Sequence, residues 1–445
     1  MPSKIEKYEV AVLGGGITGS SIFYVLSKYT DIKSAVLIEK CAKLGQINSS
    51  EKNNSQTLHF GDIETNYSFE KAVKTNEASE IVLAYLKSAE SGSVKIFSKS
   101  HKMALAVGEK EVAELEKRYE ELKKIFPDLK KIYKEEIGKI EPNIVLGRKE
   151  NEKIAALYSD NSIVVDFGAL AEDFALKGEK NREDFKIKLG TKVVSISKVE
   201  GGYEISTDKG TVFAEKIVVA MCSHSLMFAK KMGYGKDFSI LPVGGNYYTS
   251  QKKVLNGKVY TMQSGKLPFA AIHGDPNVHN EDETRFGPTA NIMPFLERNN
   301  FSTLWDFVRS SVNDTKSFIA LLRVVTDRLL FGFLLRSFVY AVPLAGTMAF
   351  VGLSRKIVPT LEYADFKKGR TKAGIRPQLV DNKTGKLVMG EAEIIGEDMI
   401  FHISPSPGAT VCLSNAAKTV DKLMEFFEGK RVFDEELFKK DLSSK

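Results

Sequence analysis

The reading of the fold turns on residues 8–26, YEVAVLGGGITGSSIFYVL, where a β-branched apolar run breaks into glycines and then resumes with helical spacing. Gly14, Gly16 and Gly19 stand at the GxGxxG positions, directly after strand-like residues 8–13 and directly before SSIFYVLSKY. In that context the pattern reads as a strand, a turn and a helix that hold a dinucleotide. The first glycine permits the tight turn, the second lets backbone approach a pyrophosphate, and the third lets the helix pack against the strand. The helix N-terminus then faces the phosphates with its unpaired N–H groups. Glu39 closes SAVLIEK, twenty residues after Gly19, at the end of a second strand. A carboxylate there can hydrogen-bond a ribose hydroxyl.

Around this unit the chain reads as an ordinary globular protein. Its 445 residues, 43% of them hydrophobic, are enough for a large core and, by length, for two domains. The net charge is +7, but the lysines are spread over solvated faces such as ELKKIFPDLKKIYKEEIGK, so nucleic acid is not indicated. A mild positive excess suits an acidic substrate or an anionic membrane face. Cys41, Cys222 and Cys412 lie far apart with no CxxC pair. That argues against a disulfide framework or a zinc site and fits a reducing cytoplasm. MPSKIEKYEV enters the first strand directly, so no export signal is expected.

YEVAVLGG, SAVLIEK, TKVVSIS and EKIVVA are short β-branched runs suited to buried parallel strands, separated by helical stretches, notably 71–90 and 110–139. KVYTM and LPVGGNYYTS suggest a separate, more antiparallel sheet after residue 240. The expected architecture is α/β: a discontinuous nucleotide-binding domain from residues 1–95, 145–240 and 370–445, and a mainly antiparallel substrate domain from 96–144 and 241–369.

NAD and FAD share this fingerprint. Here the motif begins at the extreme N-terminus, no second GxGxxG serves a nicotinamide, and a second glycine turn occurs in SPSPGATVCLSNAA near the C-terminus. Gly408 in that stretch precedes a helix-like segment, so its amides can reach a cofactor from the other side. A flavin bound along its length would use both ends of the chain. The carriers LIEKCAKLGQINSSEKNNSQTLHFGDIETNY, KVYTMQSGKLPFAAIHGDPNV, RFGPTA, GIRPQLV and FHISPSPGATVCLSNA make the chain resemble FAD-dependent 2-hydroxy-acid dehydrogenases, and within them the malate:quinone oxidoreductase family, over nearly its whole length. The resemblance implies a Rossmann-like FAD-binding domain, FAD bound without covalent attachment, oxidation of malate to oxaloacetate, and electron delivery to membrane quinone. It also implies a cofactor held by Gly14, Gly15, Gly16, Thr18, Gly19, Glu39, Lys40, Ser50, Val194, Gly408 and Ala409, with no metal.

Oxidising an alcohol beside a carboxylate needs a hydride acceptor, a base for the hydroxyl proton and cations that align the acid. Of six histidines, His273 in AAIHGDP ranks first as base and His59 in NNSQTLHFG second; His402 is expected to pack near the cofactor. Imidazole suits the task because its ordinary pKa lies near working pH. Asp275, two residues beyond His273, is placed to orient that ring. For the substrate carboxylates, Arg376 in GIRPQ is the first candidate, Arg285 in TRFGP the second and Lys266 the third, since a guanidinium fork matches a carboxylate in two hydrogen bonds.

Residues 302–353 are unusually apolar, and 329–353 carry a single charge, Arg336. That is long enough to cross a bilayer, but the mid-segment charge, Pro343 and Gly346 argue against a spanning helix. Two readings remain: a pair of core helices, or the preferred one, an interfacial patch in which Arg323, Arg328, Arg336, Arg355 and Lys356 meet lipid phosphates. The expected location is therefore cytoplasmic, peripherally bound to the cytoplasmic membrane. Nothing in the motifs counts substrate carboxylates, so lactate or 2-hydroxyglutarate stand as alternative substrates. A peroxide-forming oxidase and a non-catalytic flavin-binding protein are the competing readings.

Overall fold

Strand Glu6–Leu13, which carries the chain into the glycine turn, is central to an eight-stranded sheet and pairs in parallel with Gly210–Val219 on one side and Ala35–Ile38 on the other. Met399–Ile403 and Phe185–Lys188 extend the parallel set outward. Such strands are covered on both faces, which is why VAVL and AVLI read as unbroken apolar runs. In this computed structural model, residues 5–88, 96–263, 271–277, 279–342, 344–367, 369, 371–388, 392–403 and 407–443 are described; Lys266 lies outside them.

Helices Ile17–Tyr29, Phe167–Asn181 and Cys412–Glu425 pack on one face of this sheet through Val10, Val12, Phe23, Phe174 and Leu413. Helix Ser223–Lys231 and the hairpin Val193–Val199 with Gly202–Thr207 share the core on the other face. TKVVSIS is thus half of an antiparallel hairpin rather than a parallel strand: Gly201, with φ of +78°, turns the chain back before any crossover. The glycine turn divides its tasks as the motif requires. Gly14 has φ of +111°, and a Cβ on it would lie 2.5 Å from Ala220 O. A Cβ on Gly19 would lie 1.9 Å from Gly14 O, whereas one on Gly16 would meet only Ser49 Oγ at 3.4 Å. Gly19 therefore serves packing, and the space at Gly16 is left for a ligand.

A nine-stranded sheet, ordered Thr371–Lys372, Asn246–Thr249, Asn280–Gly287, His273–Asn277, Lys258–Thr261, Phe97–Val107, Ile154–Val165, Thr57–Leu58, with Lys130–Tyr133 also paired to Ile154–Val165, is antiparallel except where Lys258–Thr261 meets Phe97–Val107. A four-stranded antiparallel sheet joins Asn291–Ile292, Phe238–Gly244, Arg376–Asp381 and Lys386–Val388. Ile154–Val165 and Arg376–Val388 thus pair outside the nucleotide sheet, although they fall within the 145–240 and 370–445 stretches that the sequence reading gives to it. The 110–139 stretch is not one helix. Helix Glu109–Leu122 has already stopped before Pro127, which could not continue it, and strand Lys130–Tyr133 separates it from helix Lys134–Ile140.

Residues 303–354 form four helices, Thr303–Ser311, Thr315–Thr326, Arg328–Ala341 and Ala345–Ser354. Ala320, Leu321, Val324 and Leu330 pack them onto Leu241, Val243 and Val380 of the four-stranded sheet. No single described helix is long and apolar enough to cross a membrane; Leu330–Tyr340 and Ala345–Ser354 are bent by 118°. Gly346 permits that reversal, since a Cβ there would lie 2.5 Å from Tyr340 O.

Replacing Gly19 by Ala should destabilise the protein by about 1–3 kcal/mol, because the methyl must displace the Gly14 carbonyl of a closely packed turn. A lowered urea midpoint measures it. Gly16→Ala, with open space before it, should leave the midpoint within about 0.5 kcal/mol of wild type.

Candidate active site

A cavity of about 650 Å³ runs from the glycine turn to Arg376, lined along the way by Glu39, Lys40, Val194, His59, Gly408 and Ala409. Gly14, Gly15, Gly16 and Thr18 line its first end, and the amides of Gly16 and Thr18 make no hydrogen bond to the described residues. Glu39 is buried and accepts from Gly15 N at 2.7 Å and Cys41 N at 2.8 Å. A carboxylate offers about four acceptor positions, so capacity for a ribose hydroxyl remains. An open glycine cradle, unpaired amides at a helix N-terminus and a carboxylate beyond them fit a dinucleotide. Gly19 and Ser50 do not line the cavity. Gly19 packs the turn, and the Ser50 hydroxyl donates to Glu51. Ser49, one residue earlier, is the residue the sequence reading missed, accepting from Ile17 N at 2.9 Å in the first turn of the helix.

The wall between cofactor and substrate ends is residues 47–57. Asn48 binds Ile375 twice, accepting from its N–H at 3.1 Å and donating to its carbonyl at 2.9 Å, and Gly374 N donates to Asn53 O at 2.8 Å. These bonds place Arg376, the next residue, on the cavity. The Arg285 fork is already engaged, donating to Glu51 O at 3.0 Å and Asn54 O at 2.8 Å, and its guanidinium stacks 4.3 Å from the Tyr247 ring centre. Arg285 is buried, neither a hairpin surface charge nor a cavity-lining group, and its held loop is its partner.

Of the two histidines ranked as base, His59 reaches the cavity. Its backbone N–H donates to Thr410 Oγ1 at 3.1 Å, tying it to the Gly408 turn, and its Nδ1 lies 2.6 Å from Glu64 Oε1. Burial alone would raise the Glu64 pKa, but hydrogen bonding and charge from His59, with the charge of Lys102, hold it at about 2. Lys102 is itself fully buried, 2.6 Å from Asp62 Oδ1. His273 and Asp275 share a strand face as expected, with Nδ1 2.8 Å from Oδ2, though outside hydrogen-bonding angles. Both are buried one layer behind the cavity wall: Thr57 Oγ1, which lines the cavity, accepts from Lys258 Nζ at 2.7 Å and lies 2.8 Å from Tyr260 OH, and Tyr260 stacks 4.8 Å from His273. Burial lowers the His273 pKa, opposed by Asp275. The Asp275 carboxyl, which burial would raise, is held at about 2 by His273, Lys258 and Arg285. Burial also raises the Tyr247 hydroxyl, while Arg285 and Arg376 pull it down. His402 lines the cavity and meets Thr419 Oγ1 at 3.0 Å.

Among solved structures, the chain superposes on glycine oxidase from Geobacillus kaustophilus with TM-score 0.67 and 18% identity, over 94% of this chain and 95% of that one. It superposes on L-alpha-glycerophosphate oxidase from Mycoplasma pneumoniae, determined with FAD bound, with TM-score 0.64 and 18% identity over the same shares. Fold and cavity place the chain in the structural class that these two oxidases share. Within that class the chain belongs to the malate:quinone oxidoreductase family, whose model matches residues 6–437. It is 36% identical to the probable malate:quinone oxidoreductase of Campylobacter jejuni over 96% of this chain and 98% of that protein. It is 37% identical to malate:quinone oxidoreductase of Helicobacter pylori, over 98% of each.

Because the folded Glu64 pKa lies below its ordinary value of 4.5, its ionised form contributes stability above pH 4.5 that is lost as pH falls toward 2. Glu64→Gln should lower stability by roughly 2–3 kcal/mol at pH 7. Urea midpoints of the two proteins should converge as pH drops below 4.5.

Proposed function

We propose that this protein oxidises malate to oxaloacetate with FAD as hydride acceptor and passes the electrons to a membrane quinone. The observation that carries the reading is the joining, in one cavity, of a dinucleotide cradle, a carboxylate-oriented imidazole and an arginine. When bound between Glu39 and the Gly408 turn, the flavin supplies a two-electron acceptor for the hydrogen on C2 of the acid. His59 takes the hydroxyl proton on Nε2, with Nδ1 fixed by Glu64, so the C–H electron pair departs as the O–H bond is broken. Arg376 binds the carboxylate next to the reacting carbon and sets its angle, and Tyr247 lies beside that guanidinium. His273 and Asp275 support the wall through Tyr260 and Thr57. The cofactor domain is built on the eight-stranded sheet and the substrate domain on the other two.

The quinone reading is supported by the surface. Thirteen of the 24 exposed large hydrophobic side chains among the described residues fall in 301–353, including Phe318, Phe331, Leu335, Phe338, Leu344 and Met348. Soluble surfaces do not normally gather such side chains in one segment. Arg323, Arg328 and Arg355 are exposed beside them, whereas Lys356 is paired with Glu111. This is an arrangement for seating in the head-group boundary of an anionic bilayer, where a lipid-dissolved acceptor is found. It also separates the reading from a peroxide-forming oxidase, which has no use for such a face.

The direct experiment is anaerobic titration of the purified yellow protein with malate, lactate and 2-hydroxyglutarate. Malate should bleach the flavin, and a quinone analogue should restore the colour faster than oxygen does. Bleaching by lactate alone would change the substrate. His59→Ala should lower kcat about 10²- to 10⁴-fold with flavin still bound. Arg376→Ala should raise KM and lower kcat together, about 10²-fold in kcat/KM. If His59→Ala turns over like wild type while His273→Ala does not, the base lies in the second layer.

A further inference from the structure

The Glu39 end of the cavity is bounded by a segment that leads into the exposed apolar helices rather than belonging to the nucleotide sheet. Between strand Asn291–Ile292 and helix Thr303–Ser311 the chain contributes Glu297 and Asn300 to the cavity lining, which also holds Glu39, Lys192 and His224, and the first turn of the helix adds Asp306. Glu297 forms an ion pair with Lys40, the residue after Glu39, across 257 positions of sequence. Asp306 stands 3.9 Å from His224, which burial and the Lys40 charge push down to about 4. The segment is braced internally by Thr303, whose hydroxyl accepts from Glu297 N at 3.3 Å and donates to Asn300 O at 2.7 Å. Its root is held by Met293 N on Pro242 O at 2.9 Å and by Arg298 on Asn246 at 2.9 Å.

Its outer side has a different chemistry. Phe301 is 75% exposed and Trp305 65% exposed, and neither lines the cavity. Among the aromatic rings of the described residues, Phe301 meets only the edge of Phe295, 5.1 Å away. Arg309, one turn beyond Trp305, and Lys231, at the cavity mouth, are exposed cations. Tryptophan and phenylalanine flanked by cations suit the head-group layer of an anionic bilayer. Further along the chain the next exposed large apolar side chains are those of 318–353.

We propose that residues 293–306 are a strap over the adenosine end of the cofactor, and that seating Phe301 and Trp305 in an anionic lipid surface holds the strap closed and retains the cofactor. The inference rests on the membrane contact proposed above. Lipid that binds the strapped arrangement better than the opened one shifts the population toward it, by its differential affinity and no more. The released enzyme would then lose flavin faster than the membrane-bound one.

The test follows flavin release by the rise of free-flavin fluorescence after dilution, with and without vesicles of phosphatidylcholine and phosphatidylglycerol, alongside co-sedimentation with the same vesicles. Vesicles should slow release about fivefold or more for wild type. Phe301→Ser with Trp305→Ser should release flavin like wild type in solution and lose the slowing by vesicles. Glu297→Gln should release faster in solution. Wild type that co-sediments yet releases flavin at an unchanged rate overturns the strap while leaving the membrane contact standing, as does a double variant that keeps the slowing. Wild type that does not co-sediment overturns the membrane reading and the strap with it.

Discussion

Residues 47–57 contain almost no regular structure, yet the cavity exists because their backbone is satisfied from outside. Buried peptide groups must find partners, and here they find them in three separate elements. Asn53 O takes the amide of Gly374, Glu51 and Asn54 carbonyls take the Arg285 fork, and Ser55 O takes Lys258 at 2.7 Å. Asn48 answers in the other direction by binding Ile375 twice. This loop is the joint between the glycine-turn sheet and the two antiparallel sheets, and both Arg376 and His59 take their positions from it.

The charges behind that joint are held in a setting where an unpaired ion would be very costly. Lys102, Lys258, Asp275, Arg285 and Glu64 are each less than 5% exposed, and Asp62 is 5% exposed. They occur as Lys102 with Asp62, Glu64 with His59, and Asp275 between His273 and Lys258 at 3.7 Å. Burial pushes Lys258 down to about 8 even with Asp275 beside it. Such a network stabilises little in itself, but removing one member strands the others. It fixes the orientation of imidazoles that would otherwise turn freely.

Much of the nucleotide half was legible because its signals are local. The glycine spacing, the closing Glu39 and the continuous apolar runs each follow from one element's own backbone needs. The relation between elements was less so. His273 and Asp275 do share a face, as alternation on a strand requires, but alternation does not say whether that face meets a cavity or a second layer of side chains. His59 lies on a stretch of turns with no period to read, and its partner Glu64 is identified only by a 2.6 Å contact. Arg285 illustrates the same limit: its sequence neighbours mark a strand end, while its role comes from carbonyls more than 230 positions away. The break expected at Gly346 does bend Leu330–Tyr340 against Ala345–Ser354, but which faces of these helices remain open depends on the four-stranded sheet beneath them.

The order of strands in the nucleotide sheet also governs when the protein can finish folding during synthesis. Met399–Ile403 pairs in parallel with Gly210–Val219, and the Gly408 turn and helix Cys412–Glu425 follow it. Until the ribosome has made that last stretch, only the Gly210–Ala214 part of that strand is paired on this side, by Gly202–Thr207, while 217–219 lack their partner and one face of the glycine-turn helix lacks its cover. Contacts of such sequence separation close slowly. The emerging chain therefore carries a short open stretch of sheet edge between the synthesis of residues 219 and 399, and an uncovered apolar helix face for longer, surfaces that the finished fold hides and that favour association with other chains while they last.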